Sequence, residues 1–248
     1  MLIPSTHLED SKLSEPDNIE LAIIGDCTVP PEIPHVALEV IAHKKEDLSF
    51  FRQEQLQEFV EEHKLEFLGS GSDKFVLGHP DHPERVYSFT WLSVTPEILE
   101  TRYWNQQIMS TIFPQHFPRA YGARIQPAAN SDLQYGIMIS ERIDGIDLET
   151  SNYNTERQEK IITRNFKQVQ TWIENYQVPV SLDLGHRNFL LATQREEKGE
   201  LYYMDHVEGR RGKWDATLIR EHMEANNFSL EDITTVETAI SHLQDIDK

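Results

Sequence analysis

Gly69 and Gly71 lie in a short polar turn, Gly69-Ser70-Gly71-Ser72-Asp73, between two strand-forming runs, Leu65 to Leu68 and Lys74 to Leu77. No other stretch constrains the fold as tightly. Glycine lets the main chain come close to a ligand and leaves N–H groups free, which is what a bound phosphate requires. The element on the far side of the glycines decides the architecture. A dinucleotide site needs a helix there, and a Walker A loop needs Gly-Lys-Ser/Thr. Here that element is a strand and Lys74 is not followed by Ser or Thr, so neither applies. The turn is the tip of a β-hairpin, and a third strand, Arg85 to Trp91, extends it into an antiparallel meander.

The remaining pattern divides into a mostly β part and a mostly α part. Residues 46–64 have a helical period, with Asp47 as a cap. Thr95 is the expected N-cap of a helix from Pro96 to about Ile112, with proline in the first turn. Strands are expected at Ala120 to Ile125 and Gln134 to Ser140, giving five short strands with one inserted helix. Beyond Asp144 an amphipathic helix covers 155–176, with Ile162, Phe166, Val169 and Trp172 on its apolar side. Two short strands come next, Phe189 to Ala192 and Leu201 to Met204, then helices at Ala216 to Ala225 and Leu230 to Leu243. Residues 1–35 are rich in proline and acidic side chains and read as an extended arm with one short strand, Leu21 to Ile24. The fold class is α+β, with two lobes and a cleft between them.

Ser181-Leu182-Asp183-Leu184-Gly185-His186-Arg187-Asn188 runs directly into the apolar strand Phe189-Leu190-Leu191. An Asp five residues before an Asn at a strand start suits phosphoryl transfer: a carboxylate can accept or orient a hydroxyl proton, and an amide oxygen can ligate Mg²⁺. Seventeen residues after Asn188, Asp205 closes the strand Leu201-Tyr202-Tyr203-Met204 and offers a second metal ligand. Three signals therefore occur in order: glycine hairpin, Asp-x4-Asn before a strand, and a strand ending in Asp.

These motifs resemble those of the protein-kinase-like superfamily, which includes protein kinases, aminoglycoside phosphotransferases and choline kinases. The resemblance covers about residues 65–210. It implies a five-stranded antiparallel N-lobe at 46–143 with an extra leading helix, a reduced helical C-lobe at 144–248, and an arm at 1–45. It implies ATP and Mg²⁺ as cofactors, Asp183 as catalytic residue, and Asn188 and Asp205 as metal ligands. Met138-Ile139-Ser140-Glu141-Arg142-Ile143-Asp144-Gly145 looks like the interlobe hinge. By that likeness, main-chain groups of Glu141 and Ile143 contact adenine, Ser140 is the gatekeeper, and Asp147 reaches ribose or substrate. Gly69 and Gly71 would cover the phosphates. The third strand has no lysine, and Lys74 stands at the third-glycine position, as in the with-no-lysine kinases; it is expected to contact the α/β-phosphates. Its acidic partner is expected on the inserted helix, at Glu100 rather than Glu97. Ser181-Leu182 replaces the usual His-Arg before the catalytic Asp, and His206-Val207 replaces Phe-Gly after the metal Asp. Only 43 residues follow Asp205, so most of the usual peptide-docking part is expected to be missing.

Composition narrows the partners. With 42 acidic and 23 basic residues, the formal net charge of −19 opposes nucleic acid but not a nucleotide whose phosphates meet Mg²⁺ and a few placed cations. No apolar run is long enough to span a bilayer, so no membrane partner is expected. A single cysteine, Cys27, allows no internal disulfide and points to a cytoplasmic setting. No His-Glu-x-x-His or Gly-x-Ser-x-Gly pattern occurs. Three functions remain open: an active phosphotransferase acting on a hydroxyl of a small molecule or protein, a nucleotide-binding pseudokinase or scaffold, and nucleotidyl transfer.

Overall fold

The computed structural model describes residues 23–37, 53–70, 74–90, 94–127, 134–192, 200–210 and 212–246, without the side chains of 53–56. Gly71 and Trp91 fall outside the described residues. The architecture is α+β. Strands β1 (Ile23–Gly25), β2 (Glu66–Ser70), β3 (Lys74–His79), β4 (His82–Thr90), β5 (Ala120–Pro127) and β6 (Gln134–Glu141) form one antiparallel sheet. Its order is β1-β5-β6-β4-β3-β2.

The sheet therefore has six strands, not the expected five. The extra edge strand, β1, pairs with β5 from Ile23↔Arg124 to Gly25↔Gly122. Two glycines permit that approach. A Cβ on Gly25, whose φ is +72°, would collide with the Tyr121 carbonyl and lie 2.6 Å from the Tyr103 hydroxyl; one on Gly122 would meet the Asp26 carbonyl at 2.5 Å.

Alternation along the strands gives the sheet two different faces. The paired row Leu77↔Tyr87↔Ile139, with Phe75↔Phe89↔Ile137, looks toward α1 (residues 32–37) and α2 (Gln53–Glu62), and packs with Ile33, Val36, Val60 and Leu65. Phe75 and Phe89 stack 4.9 Å apart, a cross-strand contact worth roughly 0.5–1.5 kcal/mol beyond area burial. Residues 32–37, expected in the arm, thus belong to this core. The opposite row carries Lys74↔Thr90 and Val76↔Ser88↔Met138↔Ala123. Met138 and Ala123 are covered by Leu99 and Tyr103 of α3 (Pro96–Ile112). Thr95 caps α3 by accepting the Ile98 N–H, as expected.

The second region is mostly helical. Helices α4 (Thr155–Asn175), α5 (Ala216–Ala225) and α6 (Leu230–Ile246) enclose a core built on Phe166, Trp172, Phe189, Tyr203, Trp214, Met223 and Ile240. A small sheet, β10-β9-β7, lies beside it, from β7 (Gly145–Asp147), β9 (Phe189–Ala192) and β10 (Leu201–Tyr203). At Gly145 a Cβ would overlap the Leu190 side chain and sit 2.5 Å from the Leu191 carbonyl, so only glycine lets β7 lie on β9. The two-residue strands β8 (Val180–Ser181) and β11 (Glu208–Gly209) pair with each other. Among the described residues, no helix is long and apolar enough to cross a membrane.

Candidate functional site

The strand pairings bring three loops to one place. β8 and β11 pair just before Asp183 and just after Asp205. β9 and β10 pair between them, and the Met204 N–H donates to the Asn188 carbonyl at 2.8 Å, so Asn188 and Asp205 are neighbours. Asp183 and Asn188, five residues apart, and Asp205, seventeen further on, thus lie on adjoining segments of the helical region.

Lys74 joins them from the sheet. It stands on the α3-covered face of β3, and its Nζ donates to Asp205 Oδ1 at 2.7 Å and to the Met204 carbonyl at 3.0 Å. Both side chains are largely buried, at 14% and 26% exposure. Burial alone would push the Asp205 carboxyl up, but the Lys74 charge and hydrogen bond, the His206 N–H and the Arg102 charge outweigh it and hold the group below its ordinary range. The carboxylate partner of Lys74 is thus Asp205 and not the expected Glu100. Helix α3 instead presents a cation: Arg102, 13% exposed, contacts Glu208 at 2.7 Å. Asn105, also on α3, donates to the Val207 carbonyl at 3.3 Å. Both contacts fall on the segment just past Asp205.

Asp183 has a local and open environment. Its Oδ1 accepts the Gly185 N–H at 3.0 Å and its Oδ2 accepts from Arg187 at 3.2 Å, and these bonds keep the carboxyl below its usual range. The Asn188 side-chain N–H donates to the Asp183 carbonyl at 2.9 Å. That bond fixes the amide and leaves its oxygen as the free end. Asn188 Oδ1 and the Asp205 carboxylate are therefore two oxygen donors on adjoining segments, a donor type suited to Mg²⁺ when substrate oxygens and water complete the shell. Among the described residues no three His, Cys, Asp or Glu side chains gather into a metal cage.

Sequence reasoning gave no role to two residues that tie segments together, one within the cluster and one beside the glycine hairpin. The buried Tyr203 hydroxyl accepts the Asp183 N–H at 3.0 Å and donates to the His206 carbonyl at 3.4 Å, joining the Asp183 loop to the Asp205 segment. Arg142 pairs with Glu66 of β2 at 2.5 Å and with Asp144 at 3.1 Å, anchoring the segment after β6 to the glycine hairpin. A tyrosine two residues before a strand-end Asp was the only available sign of the first; Arg142 gave none.

The other expected site residues fall around this cluster. The register of β2 and β3 shifts between Phe67 and Gly69, and a Cβ on Gly69 would touch nothing within 4 Å. Gly71 lies outside the described residues. The Glu141 N–H donates to the Arg119 carbonyl at 2.8 Å, and the neighbouring Arg142 N–H to the Glu84 carbonyl at 2.9 Å. Among the described residues the Ile143 N–H has no main-chain acceptor. The Asp147 Oδ1 accepts the Glu149 N–H at 2.8 Å in an exposed turn.

No protein-family model matches the sequence, and no curated protein matches it.

Proposed function

We propose that this chain is an ATP- and Mg²⁺-dependent phosphotransferase with a two-lobed, protein-kinase-like arrangement, moving the γ-phosphoryl group to a hydroxyl of a small molecule or protein. One observation carries the reading: Lys74 of the glycine hairpin reaches Asp205 at 2.7 Å across 131 positions of sequence, beside Asp183 and Asn188. The residues fit the cofactor. Asn188 Oδ1 and Asp205 would hold the metal, Gly69 leaves open space for the phosphates, and, with the Glu141 N–H already donating to the Arg119 carbonyl, the Glu141 carbonyl and the Ile143 N–H are the groups that would meet adenine. Bound Mg²⁺ would neutralise charge on the transferring phosphoryl oxygens.

Asp183 orients the acceptor hydroxyl and takes its proton as the new O–P bond forms and the bond from the γ-phosphorus to its bridging oxygen breaks. Its exposed, ionised carboxylate faces solvent, where an acceptor can arrive. Lys74 supplies positive charge to the phosphates after leaving Asp205. Tyr203 keeps the Asp183 and Asp205 loops in register. The second reading is a nucleotide-binding scaffold without turnover, favoured by the fact that Asp205 is already neutralised by Lys74.

The test is incubation with γ-labelled ATP and Mg²⁺, with Asp205→Ala as control. Label transfer or ATP hydrolysis lost in the variant supports the phosphotransferase. Tight ATP binding with neither supports the scaffold, and label delivered only from the α-position indicates nucleotidyl transfer.

A further inference from the structure

On the helical region, α4 and α5 frame a hollow of about 550 Å³ that shares no residue with the Lys74–Asp183–Asp205 cluster. Its size lies in the range of small-ligand sites, roughly 300–1,000 Å³. Four aromatic side chains contribute to the wall, beside the polar Gln168, Thr171 and Asn175. Trp172 meets Phe113 edge-on at 5.4 Å and Tyr176 at 5.6 Å, and the Tyr176 hydroxyl lies 2.8 Å from His222 Nδ1. Trp172 is 4% exposed, and its indole N–H has no acceptor among the described residues.

The rim is cationic. Arg164 and Lys167, three apart on α4 and therefore side by side, are exposed and line the hollow. Among the described residues neither meets a carboxylate. Other cations of these helices are engaged: Lys160 with Glu156, Arg220 with Glu224 and Glu237, and Arg157 over the Tyr153 ring. In a chain with 42 acidic and 23 basic residues, two adjacent cations left without carboxylates beside an aromatic hollow are complementary to an anion from outside.

We propose that this hollow binds a small organic anion, with a flat apolar body against Trp172 and Tyr176 and a carboxylate or phosphate head between Arg164 and Lys167. A neutral ligand of the same shape would leave both cations unanswered, so charge as well as shape would select the ligand. This assignment does not depend on phosphoryl transfer at the other site.

The experiment tracks the indole N–H resonance of Trp172 in the ¹⁵N-labelled full chain, assigned by its loss in Trp172→Phe. Phenyl phosphate, phenylacetate and uncharged benzyl alcohol are titrated separately. The expected result is a saturable shift with at least one anion, half-complete below about 1 mM, with benzyl alcohol at least about tenfold weaker. The phosphate and carboxylate arms identify the preferred head group. Arg164→Gln/Lys167→Gln, on exposed positions, is expected to weaken anion binding by about tenfold or more while the other indole resonances stay in place. No saturation by about 10 mM, equal binding of benzyl alcohol, or unchanged anion binding in the double variant would overturn the proposal.

Discussion

The two carboxylates of the candidate site have opposite surroundings. Asp205 is largely buried, is bound by a lysine from another sheet, and depends on contacts over a hundred residues away. Asp183 is 53% exposed and bonded by Gly185 and Arg187, within four residues of itself. The first is fixed by tertiary structure and the second by its own turn. A charge that must hold a cation needs a partner that can be exchanged for it. A charge that must receive a proton needs open access and a stable orientation.

The sharpest break is Lys74→Met, which leaves the largely buried Asp205 without its counter-ion. We expect a loss of about 2 kcal/mol in urea unfolding, less than for a fully buried pair because both ends keep some contact with water. On the proposed reading ATP turnover falls steeply, while Mn²⁺ binding measured by electron paramagnetic resonance tightens, since the ammonium no longer competes for Asp205. Weaker Mn²⁺ binding would refute that competition. Tyr203→Phe tests whether the Asp183 and Asp205 loops are joined. Loss of a hydroxyl that both accepts and donates should cost about 1–2 kcal/mol, and an unchanged urea midpoint would mean that the loops stand independently.

Acid should reach the buried side first. His116 lies under β10: its main-chain carbonyl accepts the Tyr203 N–H, and its ring is 3.0 Å from the Leu201 carbonyl. Burial holds its pKa below the ordinary 6.5. Below that value the unfolded chain takes up a proton that the folded chain refuses. The stability is therefore complete above pH 6.5 and declines as pH falls toward the depressed folded value, by at most about 1.4 kcal/mol per pH unit. Urea midpoints at pH 7 and 5 check this, and His116→Asn should flatten the difference. The smallest effect is expected on the open side. Arg187→Ala removes an exposed i,i+4 pair and should change stability by under about 0.5 kcal/mol in the same assay. A larger loss would show that Asp183 is not held by its turn alone.

Local chemistry explains what the sequence made legible. Thr95 with Pro96 announced α3, and the spacing of Ile162, Phe166, Val169 and Trp172 announced α4, because caps and periodicity act within a few residues. Strands β7, β8 and β11 have two or three residues each and too little alternation to read. Strand β1 was anticipated as a segment but not as a sixth member of the sheet, since its pairing rests on Gly25 meeting Gly122 from far away. The same division holds at the site. Asp183, Asn188 and Asp205 were named from spacing and strand position and Lys74 from a resemblance, but the Lys74–Asp205 contact, the Tyr203 bridge and the Arg102–Glu208 tie are products of folding. The expectation of Glu100 as partner came from a resemblance, and a buried arginine two residues further along α3 takes its place near the segment.

Helix α3 is fastened on two sides. It covers the sheet through Leu99 and Tyr103. It also grips the segment beyond Asp205 through Arg102 and Asn105, and stacks Trp104 on His242 of α6 at 4.3 Å. Sliding one region past the other would break an ion pair, a buried hydrogen bond and a ring stack together. Mechanically the helix is a strut between the sheet and the helical region. A shear between the two regions would therefore have to break all three contacts in one step, and its barrier would scale with their sum rather than with the weakest of them.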